Sequence, residues 1–255
     1  MTGEHGSAEH VEYVLRLADN ALVLGHRLTE WSSRAPTLEE DIALSNIALD
    51  LVGQARSLFG HAAAIGKDGR DEDQLAYLRD AHEFLNVQLV ERPNGNFADT
   101  MARQLCYSAF AVPLWAQLTS SKDGELAGIA AKAEKECVYH LRHSSEWVIR
   151  LGDGTRESRE RMQRAIDDIW MFTGEMFEVG ESDRAMIEAG IAADATKLQL
   201  AWNDTVSDVL AEATIQRPAD GWMISGGREG THTEHLGHML AQMQFLKRAY
   251  PGATW

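Results

Sequence analysis

Apolar residues recur three and four apart along nearly the whole chain. That is the period of an amphipathic α-helix, and no run of alternating apolar and polar residues marks a strand. A first helix is predicted over residues 9–33, with Val14, Leu17, Ala21, Leu24 and Leu28 on one face. The loop SSRAPTLEE ends it: Pro36 cannot continue a helix, and Thr37 with Glu40 three residues on reads as a capping box for the next. That second helix runs to residue 65 and turns Leu44, Ile47, Leu51, Gln54 and Leu58 inward. Further helices are predicted over 72–91, 96–120 with a kink at Pro113, 124–151, 155–178, 182–216 with a break near Gly190, and 232–249. The helix over 124–151 carries the stripe Leu126, Ala130, Ala133, Cys137, His140, Ser144, Trp147 and Leu151.

Two long hairpins joined by a crossover with its own helix have the connectivity of a ferritin-like bundle. The expected fold is therefore all-α: a ferritin-like four-helix bundle with a crossover helix and additional C-terminal helices. It is expected to be a single domain over residues 1–255, with residues 1–9 as a polar tail. Such bundles build di-metal sites from one Glu on each of two helices and an E-x-x-H pair on each of the other two. The stretch EKECVYHLRHSSEW, 134–147, comes close to that pattern. An inventory of ligands goes against it. On the second helix the pair is replaced by Leu51 and Gln54, and Asp50 is the sole carboxylate over 42–65. No Asp or Glu occurs between Asp99 and Asp123. On the fifth helix the residue three before His140 is Cys137. Leucine cannot ligate, and glutamine is a poor substitute for imidazole on iron. Leu51, Gln54, Cys137 and His140 thus read as degenerate metal-site positions. The expectation is no bound metal, and a hydrogen-bonded cluster of Glu136, His140 and Gln54, with Glu136 and His140 as an i, i+4 pair.

Composition narrows the function. The chain is 44% hydrophobic, as ordinary globular proteins are, and its formal net charge is −15. Nucleic acid and anionic membranes would repel it. No apolar run approaches the ~20 residues of a membrane helix, and the start MTGEHGSAEH lacks the basic-then-apolar pattern of a secretory signal. Cys106 and Cys137 fall inside helical segments, which fits reduced thiols in a cytoplasm. The stretch GGREGTHTEHLGHM gathers histidines, but Thr231 with Glu234 is also a capping box, and His235 and His238 share a face without a third ligand. Its Gly226, Gly227 and Gly230, with Arg228, suit a phosphate cradle, although a plain tight turn weighs more. No Ser-His-Asp or Cys-His arrangement follows from spacing.

The segments LRLADNALVLGHRLTEW, IALDLVGQAR, VERPNGNFADTMARQ, KECVYHLRHSSEW and GGREGTHTEHLGHML resemble the structural subunits of bacterial ring 1,2-phenylacetyl-CoA epoxidases, and they span most of the chain beyond residue 13. The resemblance implies a ferritin-like subunit that lacks metal ligands and pairs with a catalytic ferritin-like subunit holding the di-iron centre. It implies a complex with a reductase and a small accessory subunit, which epoxidises the ring of phenylacetyl-CoA with O2 and NADPH. By the same resemblance, His82, Glu83, Phe84 and Leu85 of RDAHEFLN on the crossover helix approach the edge of the acyl-CoA site. So do Asp183, Arg184 and Ala185 of ESDRA. Read alone, those residues fit an amphipathic helix with Phe84 and Leu85 inward. Trp31 and Trp147 stand at helix ends where a partner helix could cover them. An isolated chain is left with an apolar face that a second copy of itself can cover. Two rival readings stand: a stand-alone CoA-ester binding module, and a di-metal oxidase with unorthodox ligands.

Overall fold

The structure is a computed structural model that describes residues 8–253. Among them are helices, 3-10 turns and loops, with no strand. Of the predicted polar tail, residues 1–7 lie outside the described residues, and Ala8 and Glu9 already belong to the first helix. The first hairpin is α1 (Ala8–Thr29) and α2 (Leu38–Gly66). The crossover holds α3 (Glu72–Tyr77), a 3-10 turn over Ala81–Glu83 and α4 (Gln88–Glu91). The second hairpin is α5 (Phe97–Leu118) and α6 (Gly124–Gly152). Then come α7 (Arg156–Trp170), a 3-10 turn over Gly174–Phe177, α8 (Glu181–Ala189), α9 (Ala195–Glu212), a 3-10 turn over Gly227–Glu229, α10 (Glu234–Met243) and α11 (Phe245–Ala249). The two hairpins form a ferritin-like helical bundle in which α1 packs on α2, α5 on α6, and α2 on α6.

The four long helices divide by burial. Every residue of α1 from Tyr13 to Gly25 is buried, and every residue of α5 from Thr100 to Ala111. A helix apolar on one stripe only could not sit there, because elements pack on all of its sides. α4 and α8 cover α1, and α7 and α9 cover α5. By contrast α2 and α6 bury one stripe and expose the other. Their inward residues match the predicted ones, from Leu44 to Leu58 and from Leu126 to Ser144. Thr37 caps α2 by accepting from the Glu40 N–H at 3.4 Å. α5 continues through Pro113.

Four predicted helices are broken. The crossover is not one helix over 72–91, because buried side chains from elsewhere take its backbone N–H groups. Asp19 accepts from Leu85 N at 2.9 Å, Asn20 from Val87 N at 2.9 Å and Glu175 from Gln88 N at 2.8 Å. Those bonds hold residues 84–87 extended and satisfy amides that a helix would have satisfied internally. The helix predicted over 155–178 ends at Trp170. The one over 182–216 breaks at Gly190, as its glycine suggests, with a φ of 76° that only glycine adopts without strain. The helix predicted over 232–249 splits at Gln244 into α10 and α11, and the N-cap of α10 is Thr233 and not Thr231.

Candidate functional site

In ferritin-like bundles the metals sit between the long helices, so the α2–α6 seam is the first place to look. Leu51 and Cys137 are buried there, each about 1% exposed. Gln54 donates to Glu136 Oε2 at 2.9 Å. His140 Nε2 lies 3.1 Å from Asp50 Oδ2. This corrects the expected Glu136–His140 pair: the cluster exists, but each member bonds across the seam and Asp50 is its fourth member. Helical i, i+4 neighbours lean along one face, whereas the packed antiparallel helix presents its own polar groups directly opposite. Two more contacts extend the series: Glu40 with His143 at 2.8 Å and His61 with Asp123 at 2.5 Å. The seam is thus a ladder whose rungs climb α2 as they descend α6.

Midway along the bundle the acids of the ladder are engaged in pairs across the helices. The carboxylates Asp50 and Glu136 each answer one polar partner from the other helix, and Glu136 also meets Lys132 at 3.3 Å. Burial pushes the Cys137 thiol up to about 12, against a partial offset from the Gln54 hydrogen bond. Burial likewise raises Cys106 to about 12. Burial thus disfavours the thiolate of both, the form in which a cysteine acts as a nucleophile.

The structure brings together only two of the seven residues expected near the acyl-CoA. Leu85 and Asp183 line one small cavity of about 60 Å³ with Tyr13, Arg16, Phe110 and Arg228. Phe84 is buried, with Arg79 stacked 4.2 Å above its ring, and His82, Glu83, Arg184 and Ala185 lie exposed. In place of the expected crossover helix, His82 and Glu83 stand on a 3-10 turn, and Arg184 and Ala185 stand on α8. Asp183 is clasped by Arg16 at 2.8 and 3.1 Å and by Arg228 at 2.6 Å. Burial works to raise its pKa, but the two guanidinium groups outweigh it and hold the carboxyl below the usual range.

A wider opening of about 380 Å³ lies beside this cluster, lined by Arg16 and Arg228 and by the acids Glu9, Glu12, Glu178, Glu181, Asp183 and Glu229. An excess of carboxylate over guanidinium repels the phosphates of coenzyme A. The glycine loop is a tight packing turn, as the plainer reading held. A Cβ on Gly230 would meet the His82 carbonyl oxygen at 2.2 Å, and one on Gly227 the Asn86 oxygen at 2.5 Å. The loop lies against the crossover backbone, and Arg228 is committed to Asp183. Nearby, Glu91 accepts from the Thr233 amide at 2.7 Å and meets His232 Nδ1 at 3.1 Å, while His232 Nε2 meets the Phe84 carbonyl at 2.7 Å. His235 and His238 take no part in that network.

Trp31 and Trp147 both set an edge against Phe97, with ring centroids 5.8 and 4.9 Å apart, so this chain already covers much of them. One constellation escaped the sequence reading: among the described residues, a single group of potential metal ligands converges, His10, His61 and Asp123. The inventory sought helix-internal pairs, and these three come from three separate elements. No described helix is long and apolar enough to cross a membrane.

The chain matches the family described as phenylacetic acid catabolic protein over residues 1–255. It is 51% identical over 243 residues to one of the subunits of the 1,2-phenylacetyl-CoA epoxidase of Escherichia coli (strain K12), covering 95% of this chain and 98% of that protein.

Proposed function

The chain belongs to the phenylacetic acid catabolic protein family, and on that premise we propose that it is the non-catalytic helical subunit of a phenylacetyl-CoA epoxidase. The observation that carries the reading is the filled seam. Where a di-metal bundle places its E-x-x-H pairs, this chain has Leu51, Gln54, Cys137 and His140, and its nearby acids bond across the helices. The di-iron centre, the O2 chemistry and the NADPH-fed reductase belong in this reading to partner subunits in the cytoplasm.

The role of the chain is to scaffold the catalytic subunit. Leu38, Ile42 and Leu49 stand 71%, 54% and 68% exposed on the outer face of α2, a row that a partner's helices would bury. The same row favours self-pairing of the isolated chain. Leu85 and Asp183 would reach the acyl-CoA only at the margin of the partner's site. The acidic opening speaks against a stand-alone CoA-ester module, and the seam against a di-metal oxidase.

Co-expression with a di-iron ferritin-like subunit, followed by gel filtration in about 0.5 M salt, tests the assignment, because screening there removes purely electrostatic contacts. A stable hetero-oligomer is expected, with well under one iron per copy of this chain when it is purified alone. Two irons per isolated chain, or full epoxidation by the catalytic subunit and reductase without it, would overturn the reading.

A further inference from the structure

Three elements far apart in sequence meet at the end of the bundle where α1 begins. His10 stands on the first turn of α1, His61 near the end of α2, and Asp123 is the residue that caps α6. The Nε2 atoms of both histidines converge on one atom, Asp123 Oδ2, at 2.8 Å from His10 and 2.5 Å from His61. The three donor atoms lie within 4.8 Å of one another. All three side chains are largely withdrawn from solvent, 13%, 7% and 8% exposed for His10, His61 and Asp123. The carboxylate is fixed by its other oxygen: Oδ1 accepts from the amides of Glu125 and Leu126 at 3.0 and 3.1 Å. The Asp123 amide in turn donates to Ser121 Oγ at 3.2 Å.

Two imidazoles and a carboxylate form a nitrogen–oxygen donor set of the kind zinc takes, with a fourth position left for water. The cap bonds to Oδ1 and the amide bond to Ser121 are the outer contacts that orient a ligating carboxylate. A tetrahedral zinc with bonds of about 2.0–2.2 Å keeps its ligand atoms about 3.4 Å apart. Both N–O separations here are hydrogen-bond lengths, so each ring has to draw back by less than about 1 Å. The proton bookkeeping closes as well. A neutral ring that donates from Nε2 moves its proton to Nδ1 and presents the Nε2 lone pair to the metal. Neither Cys106 nor Cys137 belongs to such a group of converging ligands among the described residues.

We propose that His10, His61 and Asp123 form a site for a divalent transition metal, best fitted by zinc, which ties the start of α1 to α2 and α6. The site is the end rung of the seam and lies apart from Leu51, Gln54, Cys137 and His140: His61 lies seven residues beyond Gln54, about 10 Å along α2. It stands whether or not the family role is as assigned.

The test uses the full chain, stripped with a chelator and titrated with ZnCl2 against a chromophoric competitor, with Co2+ as a visible probe. The expected result is one zinc per chain with a Kd of about 1 µM or tighter. Co2+ should show the d–d bands of a four-coordinate site. Asp123→Asn keeps α6 capped, because Asn caps as well as Asp, and His61→Gln keeps a polar group of similar reach. Each should weaken zinc by at least about 30-fold and abolish the cobalt bands. His238→Ala, which removes an exposed histidine of the C-terminal stretch, should leave Kd within about twofold. Circular dichroism of the metal-free variants checks that they fold; if one does not, the other decides. No binding up to about 100 µM zinc, or zinc held equally well by the folded variants, would overturn the site.

Discussion

The α2–α6 seam and the junction between α1 and the crossover both place charged groups inside a helical protein, and they do so in opposite ways. On the seam a side chain of one regular helix meets a side chain of another. One rung keeps a solvated end, where the Asp50 side chain is 35% exposed. At the junction fully buried acids meet the backbone of a segment with no regular structure. Asp19, 0% exposed, pairs with both terminal guanidinium nitrogens of Arg79 and also accepts from Leu85 N. The first arrangement adjusts how two finished helices fit. The second decides whether a stretch of chain is a helix at all.

That difference sets a ranking of mutational costs. Asp19→Ala is expected to have the largest effect, about 3–5 kcal/mol, because it strands a buried Arg79 and a buried amide together. Urea unfolding measures it, and a loss below about 1 kcal/mol would erase the distinction between the two regions. His140→Ala comes next, at about 1–2 kcal/mol from a small cavity and a lost hydrogen bond, with Asp50 still reached by water. The same denaturation curve checks it, and a cost equal to that of Asp19→Ala would make the seam as rigid as the junction.

A pH effect should also belong to the junction. Burial disfavours the charged form of His232, but the hydrogen bonds to Glu91 and the Phe84 carbonyl outweigh it and hold the pKa above the ordinary 6.5. A raised pKa in the folded state means that the contribution is complete below about 6.5. It is lost as pH rises through the higher, folded value. Urea midpoints taken from about pH 6 to 9 should fall more steeply for the natural chain than for His232→Gln; equal slopes would remove His232 from the account. Asp50→Asn should be the mildest change, under about 1 kcal/mol, since one oxygen acceptor survives and the site is partly solvated.

Sequence periodicity located the long helices, the inward stripes and the Thr37 cap, because those depend on residues within a turn or two of each other. It also picked out Gln54, Glu136 and His140 as one polar cluster. It missed Asp50 as the partner of His140, since i, i+4 spacing on α6 offered Glu136 first and the register of the facing helix was not available. The crossover failed for a stronger reason. Its propensity is helical, and the groups that override it, Asp19, Asn20 and Glu175, come from more than sixty residues away. The two polar residues in the middle of the otherwise apolar LADNALVL were the one visible hint. His10, His61 and Asp123 carried no local pattern, because each sits in an unremarkable context until the bundle closes.

The ladder has a consequence for how this chain can change in length. Its rungs, Glu40–His143, Asp50–His140, Gln54–Glu136 and His61–Asp123, share one antiparallel register. One residue inserted between Asp50 and Gln54 would rotate everything beyond it by about 100°. The first two rungs would survive, and the last two would swing away from their partners. Insertions and deletions should therefore be excluded from the middle of α2 and collect in exposed connections such as residues 67–71, where added chain costs little. In this protein the spacing between polar residues is as much a part of the design as their identity.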